Sequence, residues 1–314
     1  MYGSMNNGQV TKPLVSVCMI TYNHEAYIGR AIEGVMTQDL PYPFELVIGE
    51  DHSSDRTREI CLEAARNHSG RIRVLESNAN LGITANFSRT LGECRGMYIA
   101  ICEGDDFWTE TRKLSRQVKF LEDHPEFAMI AGRVSLVDQN GQKPEDISIL
   151  EDQLCRMKRE PHFTDLLEYN MINTPTVCIR SDMLRNLVNE AVRRRVWYGV
   201  DYWYWLRIAA TQRIYISDEV TAAYRIHSEG ASRQGHFLRR RMPWIRYDAV
   251  SHFAAESLEI TVREKSDLFT VMMRIIRGKD SSLKLRLQSL LWCAAKPSFF
   301  MAWLHGRNKK SHEC

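Results

Sequence analysis

The chain has 314 residues, of which 44% are hydrophobic and 26% are charged, and its formal net charge is +3. These values are typical of a soluble globular protein, and the length predicts one large domain with a smaller appendage. A net charge this small gives no reason to expect a nucleic-acid partner, and no such partner is predicted. The positive charge is concentrated at one end, because residues 260–314 contain 11 Lys/Arg and only 4 Asp/Glu.

The cysteine pattern and the composition of the N-terminal segment indicate the cellular compartment. The eight cysteines are scattered without a C-x-x-C pair, so the pattern indicates neither a disulfide framework nor a zinc site and suits a reducing environment. Residues 1–12 are polar, are predicted to be flexible, and lack the apolar segment of a signal peptide. No apolar run has the length of a transmembrane helix. The sequence therefore predicts a cytoplasmic protein.

The first hundred residues alternate between two kinds of pattern. Four apolar runs predict strands, namely Leu14–Thr21, Phe44–Gly49, Arg71–Ser77 and Met97–Cys102. The segments between them have helical spacing of apolar residues, and the second helix is expected to begin after Ser53 or Ser54 as N-cap. This alternation predicts an α/β fold with a doubly wound, mainly parallel sheet and helices on both faces. Right-handed crossovers favour the strand order 3-2-1-4.

Polar clusters follow three of these strands: Thr21–Asn23, Glu50–Asp51 and Glu103–Asp106. The carboxyl ends of parallel strands meet at one edge, so the three clusters are expected to converge on one crevice. No G-x-G-x-x-G, G-x-x-x-x-G-K-[ST] or G-x-S-x-G motif is present, so a dinucleotide site, a P-loop and a nucleophile elbow are not expected. Carboxylates at strand ends suit a hard divalent cation, Mg²⁺ or Mn²⁺. The alternative is that these acids cap the following helix and face water.

The second half mixes shorter elements. Helices are predicted after Trp108, around residues 163–170, over residues 181–194 and from Asp201, and strands around residues 128–137, 174–180 and 213–227. Residues 143–161 are predicted to be a loop, and the chain beyond Arg239 is predicted to be helical and basic. We divide the chain into a domain of residues 13–235, with halves 13–108 and 109–235, and a helical C-terminal appendage of residues 236–314.

Several segments together resemble the family 2 glycosyltransferases of the GT-A fold. They are PLVSVCMITYNHEAYIGRAI, FELVIGEDHSSDRT, NANLGITANFSRTLGECRGMYIAICEGDDFW, GVDYWYWLRIA and YRIHSEGAS. The resemblance implies a nucleotide-sugar donor and an Mg²⁺ or Mn²⁺ cofactor. It implies nucleotide-sugar contacts from the polar residues Thr21, Tyr22, Asn23, Glu50, Asp51, Asn80, Asn86, Glu103 and Asp106. It also implies Asp105 as a metal ligand, with Glu103-x-Asp105 standing where the family has its D-x-D motif, and His227 as a second ligand.

The acceptor half offers one candidate general base, Asp201. The following aromatics, Tyr202, Trp203 and Trp205, are expected to form a platform for the acceptor. The alternative is that Asp201 only caps its helix. The run Arg239–Arg241 could bind the donor diphosphate or a phosphorylated acceptor, or it could be a solvated helix face.

The C-terminal segment mixes Leu, Trp and Phe with Lys and Arg. Such a segment either lies on an anionic membrane surface or packs on the domain as an ordinary amphipathic helix. The first interpretation adds peripheral contact with the inner face of the cell membrane and suits a lipid-linked acceptor.

The resulting prediction is an inverting, metal-dependent glycosyltransferase that moves a sugar to a hydroxyl of a glycan or lipid-linked acceptor. The resemblance implies a role in cell-surface polysaccharide biosynthesis. A nucleotidyltransferase and a non-catalytic nucleotide-sugar-binding protein are the alternatives. The donor is expected to be UDP- or dTDP-linked.

Overall fold

The computed structural model describes residues 12–145, 148, 154–194, 196, 199–228, 230, 235–256, 260–279 and 281–310. Three predictions fall wholly or partly outside this set: the flexible segment 1–12, the loop 143–161 and the side chains of Arg239–Arg241. These stay predictions.

The first half of the chain alternates strands and helices. In chain order the elements are β1 (Val15–Thr21), α1 (Ile28–Met36), β2 (Phe44–Glu50), α2 (Thr57–Asn67), β3 (Ile72–Leu75), α3 (Ile83–Glu93) and β4 (Tyr98–Ile101). β1 lies between β2 and β4, β3 lies on the far side of β2, and all three pairs are parallel. The strand order 3-2-1-4 is therefore confirmed.

The second half extends the same sheet. Its elements are β5 (Phe107–Trp108), α4 (Lys113–Asp123), β6 (Phe127–Val137), α5 (Phe163–Glu168), β7 (Cys178–Arg180), α6 (Ser181–Arg193), α7 (Val200–Ala209) and β8 (Arg213–Arg225). The eight strands follow the order β3-β2-β1-β4-β7-β6-β8-β5. β7 runs antiparallel to both β4 and β6, whereas β8 runs parallel to β6. The sheet is therefore mixed: the run β3-β2-β1-β4 is wholly parallel, and the antiparallel pairs involve β7 and β5 of the second half.

The sheet is buried on both faces, which is why apolar residues predominate along β1 and β2. Along β1, Val17 and Met19 enter one apolar layer and Cys18 enters the other. Helices α1, α2 and α4 cover the first face, and α3 with α5, α6 and α7 covers the second. The predicted arrangement of helices on both faces is confirmed.

The start of α2 differs from the prediction. The helix begins at Thr57, and Ser53 and Ser54 do not cap it. Instead the Asp55 carboxylate accepts the Thr57 main-chain N–H at 2.9 Å, while the Ser53 hydroxyl accepts the main-chain N–H of Asn23 at 3.0 Å. The serines therefore connect two strand-end loops, because a closer acid occupies the capping role.

Four helices follow β8: α8 (Gly235–Glu256), α9 (Val262–Arg277), α10 (Leu283–Ala294) and α11 (Pro297–Lys310). They are not separate from the core, because Leu268 and Met272 of α9 and Phe299 of α11 belong to the same buried layer as α5 and α7. Among the helices that the structure describes, none has a stretch both long and apolar enough to cross a bilayer.

Candidate active site

A cavity of about 420 Å³ opens at the carboxyl ends of β1, β2 and β4. Its walls come from the loops after these strands and from the start of α3. The residues that line it are Ile20, Thr21, Tyr22, Asn23, His24, Asp51, Asn80, Leu81, Gly82, Ile83, Thr84, Ala85, Asn86, Glu103, Asp105 and Gly230. The predicted convergence of the three polar clusters therefore occurs. Of the predicted site residues, Glu50, Asp106, Asp201 and His227 are not part of this lining.

The loop after β1 supplies the first wall. Asn23 has a positive φ of 55°, a conformation that Asn tolerates better than most residues. Its side-chain oxygen accepts the main-chain N–H of Ser54 at 2.8 Å, which ties this loop to the loop after β2. The hydroxyl of Thr21 is buried and finds no hydrogen-bond partner among the described residues, whereas the Tyr22 ring is 43% exposed. The wall thus offers one free polar atom and one aromatic face.

The second wall is organised by Asp51, which is almost fully buried. Its two carboxylate oxygens accept the main-chain N–H groups of Leu81 and Gly82, both at 2.9 Å. These bonds hold the segment that carries Asn80 against the end of β2. Asn86 is also buried and donates to the carbonyl of Gly49 at 2.8 Å. Asp51 therefore shapes the pocket as well as lining it.

Glu50 lies beneath this wall and does not reach the cavity. It is fully buried, and its oxygens accept the Ser53 main-chain N–H and the Arg58 guanidinium, each at 2.7 Å. Burial raises the pKa of Glu50, but the bonds from Ser53 and Arg58 outweigh it and lower the pKa overall. We assign Glu50 a supporting position rather than a contact with ligand.

The loop after β4 brings three acids together. Burial, followed by repulsion from Asp106, Asp105 and Asp201, raises the pKa of Glu103 well above its usual value. Asp106 is buried, and burial with repulsion from Asp105 raises its pKa as well. One Asp106 oxygen accepts the main-chain N–H of Arg225 at 2.7 Å, so this carboxyl anchors the loop to β8 and faces away from the cavity.

Asp105 lies between two histidines. Its Oδ2 atom is 3.1 Å from Nε2 of His227 and 3.9 Å from Nε2 of His24. One ligand atom from each of the three residues lies within 4.8 Å of the others. Burial raises the pKa of Asp105, but the hydrogen bond with His227 and the proximity of His24 lower it overall. Two imidazoles and a carboxylate at this spacing can hold a transition-metal cation, so the donor set fits a metal.

Arg225, at the end of β8, supports this cluster from behind. Its Nε donates to the carbonyl of Asp105 at 2.8 Å, and its Nη1 donates to the carbonyl of Asp138 at 3.0 Å. The guanidinium lies 4.5 Å from the ring centre of Tyr27, and that ring in turn contacts the His227 ring at 5.1 Å. The loop that carries Asp105 and Asp106 is therefore fixed to β8 by two hydrogen bonds with Arg225.

Asp201 lies at the start of α7, where the sequence places it. Its Oδ2 accepts the hydroxyl of Thr174 at 2.7 Å, and the residue is close enough to Glu103 to raise the pKa of that acid. The expected aromatic platform is wrong, because Tyr202, Trp203 and Trp205 are at most 1% exposed and pack in the core. They lie between the sheet and the C-terminal helices, which the local sequence does not reveal.

His24 and Arg225 belong to the site although the sequence interpretation did not include them. A signal for His24 was available: it directly follows Asn23 in the loop that the strand order already placed beside Asp105. No comparable signal existed for Arg225, because its contacts with Asp105 and Asp138 require the pairing of β8 in the sheet.

Comparisons with known proteins agree with this fold. The model of the glycosyl transferase family 2 matches residues 16–187, just over half of the chain. An uncharacterized protein of Mycobacterium tuberculosis is 31% identical over 245 residues, which are 78% of this chain and 67% of that protein. The putative teichuronic acid biosynthesis glycosyltransferase TuaG of Bacillus subtilis is 28% identical over 184 residues, covering 59% of this chain and 69% of TuaG.

Solved structures resemble the chain over nearly its whole length. TarS of S. aureus in complex with UDP superposes with a TM-score of 0.60 at 19% identity, covering 92% of this chain and 80% of TarS. The mannosyltransferase PcManGT of Pyrobaculum calidifontis, in complex with GDP-Man and Mn²⁺, superposes with a TM-score of 0.56 at 17% identity, covering 95% of this chain and 81% of that one. With the family match over residues 16–187, these likenesses show that the chain belongs to glycosyl transferase family 2 and has the GT-A fold.

Proposed function

We propose that the chain transfers a sugar from a nucleotide-sugar to a hydroxyl of a glycan or lipid-linked acceptor, with inversion at the sugar carbon and with a divalent cation. One observation carries the proposal. The cluster of His24, Asp105 and His227 lies at the edge of a cavity of about 420 Å³, whose lining also includes polar residues that follow β1, β2 and β4.

The nucleoside part of the donor fits the walls after β1 and β2. The exposed ring of Tyr22 can stack on a base, and the unpartnered hydroxyl of Thr21 can bond to a ligand atom. Each Asp51 oxygen already accepts one N–H but retains a second lone pair for the base or ribose. Asn80, Asn86 and Glu103 line the same cavity, and Asn23 completes its first wall.

The diphosphate is assigned to the side of the cavity where Asp105 lies. His24, Asp105 and His227 would hold the cation, and two imidazole ligands favour Mn²⁺ over Mg²⁺. The bound cation would neutralise the charge that develops on the departing nucleoside diphosphate. Arg225 acts through Asp105 by fixing the position of its main chain, so it is a positioning residue.

Asp201 is assigned as the general base. Its carboxylate would take the proton of the acceptor hydroxyl while that oxygen forms a bond to the sugar carbon and the bond to the diphosphate oxygen breaks. The Thr174 hydroxyl orients the carboxylate by its bond to Oδ2. Glu103 is near enough to Asp201 for the two carboxyls to interact, and we assign it a position beside the sugar carbon on which positive charge develops.

The proposed donor is UDP- or dTDP-linked, and the UDP bound to TarS supports the first of these. The proposed pathway is cell-surface polysaccharide assembly, and the teichuronic acid biosynthesis in the name of TuaG supports a role in polysaccharide assembly. The division of the chain at residue 235 and the cytoplasmic location are proposed with them.

The test is calorimetric binding of UDP-, dTDP- and GDP-sugars in the presence of Mn²⁺ or EDTA, followed by assay of donor hydrolysis. We expect at least one donor to bind with Mn²⁺ and to be slowly hydrolysed, and Asp105→Asn to abolish the effect of the metal. Asp123→Asn, an exposed acid paired with Lys119, is the matched control and should behave as wild type. Absence of binding by every donor would refute the function, and binding without hydrolysis or transfer would indicate a non-catalytic binding protein.

A further inference from the structure

Helix α10 presents an apolar stripe to solvent. Leu283, Leu287, Leu290 and Leu291 are 74%, 52%, 47% and 71% exposed. With Ala294 they fall at i, i+4, i+7, i+8 and i+11, which confines them to an arc of about 100° on an α-helix of 3.6 residues per turn. The exposed side of this helix is therefore its leucine side.

Helix α11 continues the exposed apolar surface. Phe300, Met301 and Leu304 are 42%, 50% and 36% exposed and again share one face of their helix. Over the part of the chain that the structure describes, seven of the 13 large exposed apolar side chains lie in these two helices. We call this surface, formed by the four leucines of α10 with Phe300, Met301 and Leu304, the leucine face.

An ordinary amphipathic helix does not explain the leucine face. The opposite side of α10, with Leu285 and Ser289, is already buried, and Phe299 and Ala302 of α11 are buried as well. Both helices thus use one side to pack on the domain, and the other side should then be polar. It is apolar instead, which indicates a surface that is covered by something other than water.

The charge around the leucine face is of one sign. Residues 277–310 contain eight Lys/Arg and one acid, Asp280. The Arg286 guanidinium donates to the carbonyls of Gly278 and Ser281. Arg277 at the end of α9, Lys279 in the following turn and Lys284 in the first turn of α10 are exposed. Exposed leucines bordered by lysines match an anionic bilayer surface, where apolar side chains enter the headgroup region and cations meet lipid phosphates.

We propose that the leucine face docks the protein on an anionic lipid bilayer. A second copy of the chain is a poorer occupant, because both copies would bring the positive charge of Arg277, Lys279 and Lys284 to the contact, whereas an anionic bilayer supplies the opposite sign. Docking does not depend on the identity of the donor or on catalysis. It adds to the proposed function a reason for an acceptor that resides at a membrane.

The test is flotation of the full-length protein with vesicles of phosphatidylcholine alone or mixed with phosphatidylglycerol. We expect binding to the mixed vesicles, weakening as salt is raised. The double variant Leu287→Gln with Leu291→Gln should reduce binding by about tenfold or more. Each substitution removes the free energy that is gained when a leucine side chain leaves water. Lys279→Gln with Lys284→Gln should reduce binding to mixed vesicles only.

The matched control is Val192→Gln, which changes a 53% exposed apolar residue on α6, away from the leucine face. It should bind vesicles as wild type does, and thermal unfolding of all variants should stay the same. Absence of vesicle binding by the wild type, or equal binding by the leucine variant, would overturn the proposal. So would a dimer in light scattering that the leucine variant converts to monomers without any vesicle binding, because the face would then be a contact between copies. Donor binding measured in the same samples separates these outcomes from failure of the proposed function.

Discussion

Gly104 separates Glu103 from Asp105, and replacement by alanine should disturb both folding and metal binding. An added Cβ would lie 2.7 Å from Oγ1 and 2.8 Å from Cβ of Thr21, and 3.1 Å from Nδ1 of His24. Thr21 is buried at the end of the central strand β1 and cannot move aside. The loop carrying Asp105 must therefore shift instead.

Overpacking of this kind costs roughly 1–3 kcal/mol of folding free energy. Metal sites depend on ligand positions to within about 0.2 Å, so the shift should also weaken Mn²⁺ binding. We expect the Mn²⁺ dissociation constant to rise about tenfold or more, which corresponds to a loss of ~1.4 kcal/mol. Urea unfolding and Mn²⁺ calorimetry measure the two effects.

Gly92→Ala is the matched control, because nothing lies within 4 Å of an added Cβ at this position near the end of α3. This change should leave Mn²⁺ binding unaltered and stabilise the helix by up to ~1 kcal/mol. Suppose that Gly104→Ala has the same urea unfolding midpoint and the same Mn²⁺ affinity as wild type. Then the close packing of the β4 loop against Thr21 and His24 is not what positions Asp105.

Three further changes probe the base, the acid beneath the pocket and the positioning arginine. Asp201→Asn should leave donor binding unchanged and slow transfer at least ~100-fold, and undiminished transfer would remove it as the base. Arg58→Met removes the guanidinium that holds Glu50 ionised and should cost about 1–2 kcal/mol in urea unfolding at neutral pH. Because the pKa of Glu50 is lowered from 4.5 in the folded protein, the stability it contributes is present above that pH and is lost as pH falls through the folded pKa. The cost should therefore shrink in acid, and a cost independent of pH would contradict this reasoning. Arg225→Met should weaken Mn²⁺ binding about tenfold by freeing the main chain of Asp105, and unchanged affinity would show that the loop is held otherwise.

The control for both arginine changes is Arg56→Met. Arg56 pairs with Glu59 on the surface, and each side chain is at least 60% exposed. Exposed pairs contribute little to stability, so this variant should change neither unfolding nor Mn²⁺ binding.

The parallel half of the fold could be predicted because its signals are local. β1, β2 and β4 are buried and mainly apolar, β3 is a short, half-buried strand, and the helices between them have clear apolar periodicity, so the order of the strands followed from crossover rules. β5 could not be found this way, since it has only two residues, Phe107 and Trp108, and exists through its pairing with Ala222 and Ala223 of β8.

The site was predictable to the same extent. Asp51 directly follows β2, and Asp105 lies in the short loop after β4, so their positions follow from the sheet alone. The inward direction of Glu50 and Asp106 depends on Arg58 and on the main chain of Arg225, which local sequence does not place. The tryptophans of α7 were assigned to a surface because Asp201 precedes them, but the sheet and the C-terminal helices bury them between them.

In the proposed function, His24, Asp105 and His227 hold a cation that also binds the donor diphosphate. Pulsed EPR can identify these ligands in a complex of the protein with Mn²⁺ and the nucleoside diphosphate of whichever donor binds. We expect nitrogen couplings from His24 and His227 together with phosphorus coupling from the diphosphate, and loss of one nitrogen coupling in His24→Ala. Phosphorus coupling without any histidine nitrogen, or an unchanged spectrum in Asp105→Asn, would show that this cluster does not hold the cation.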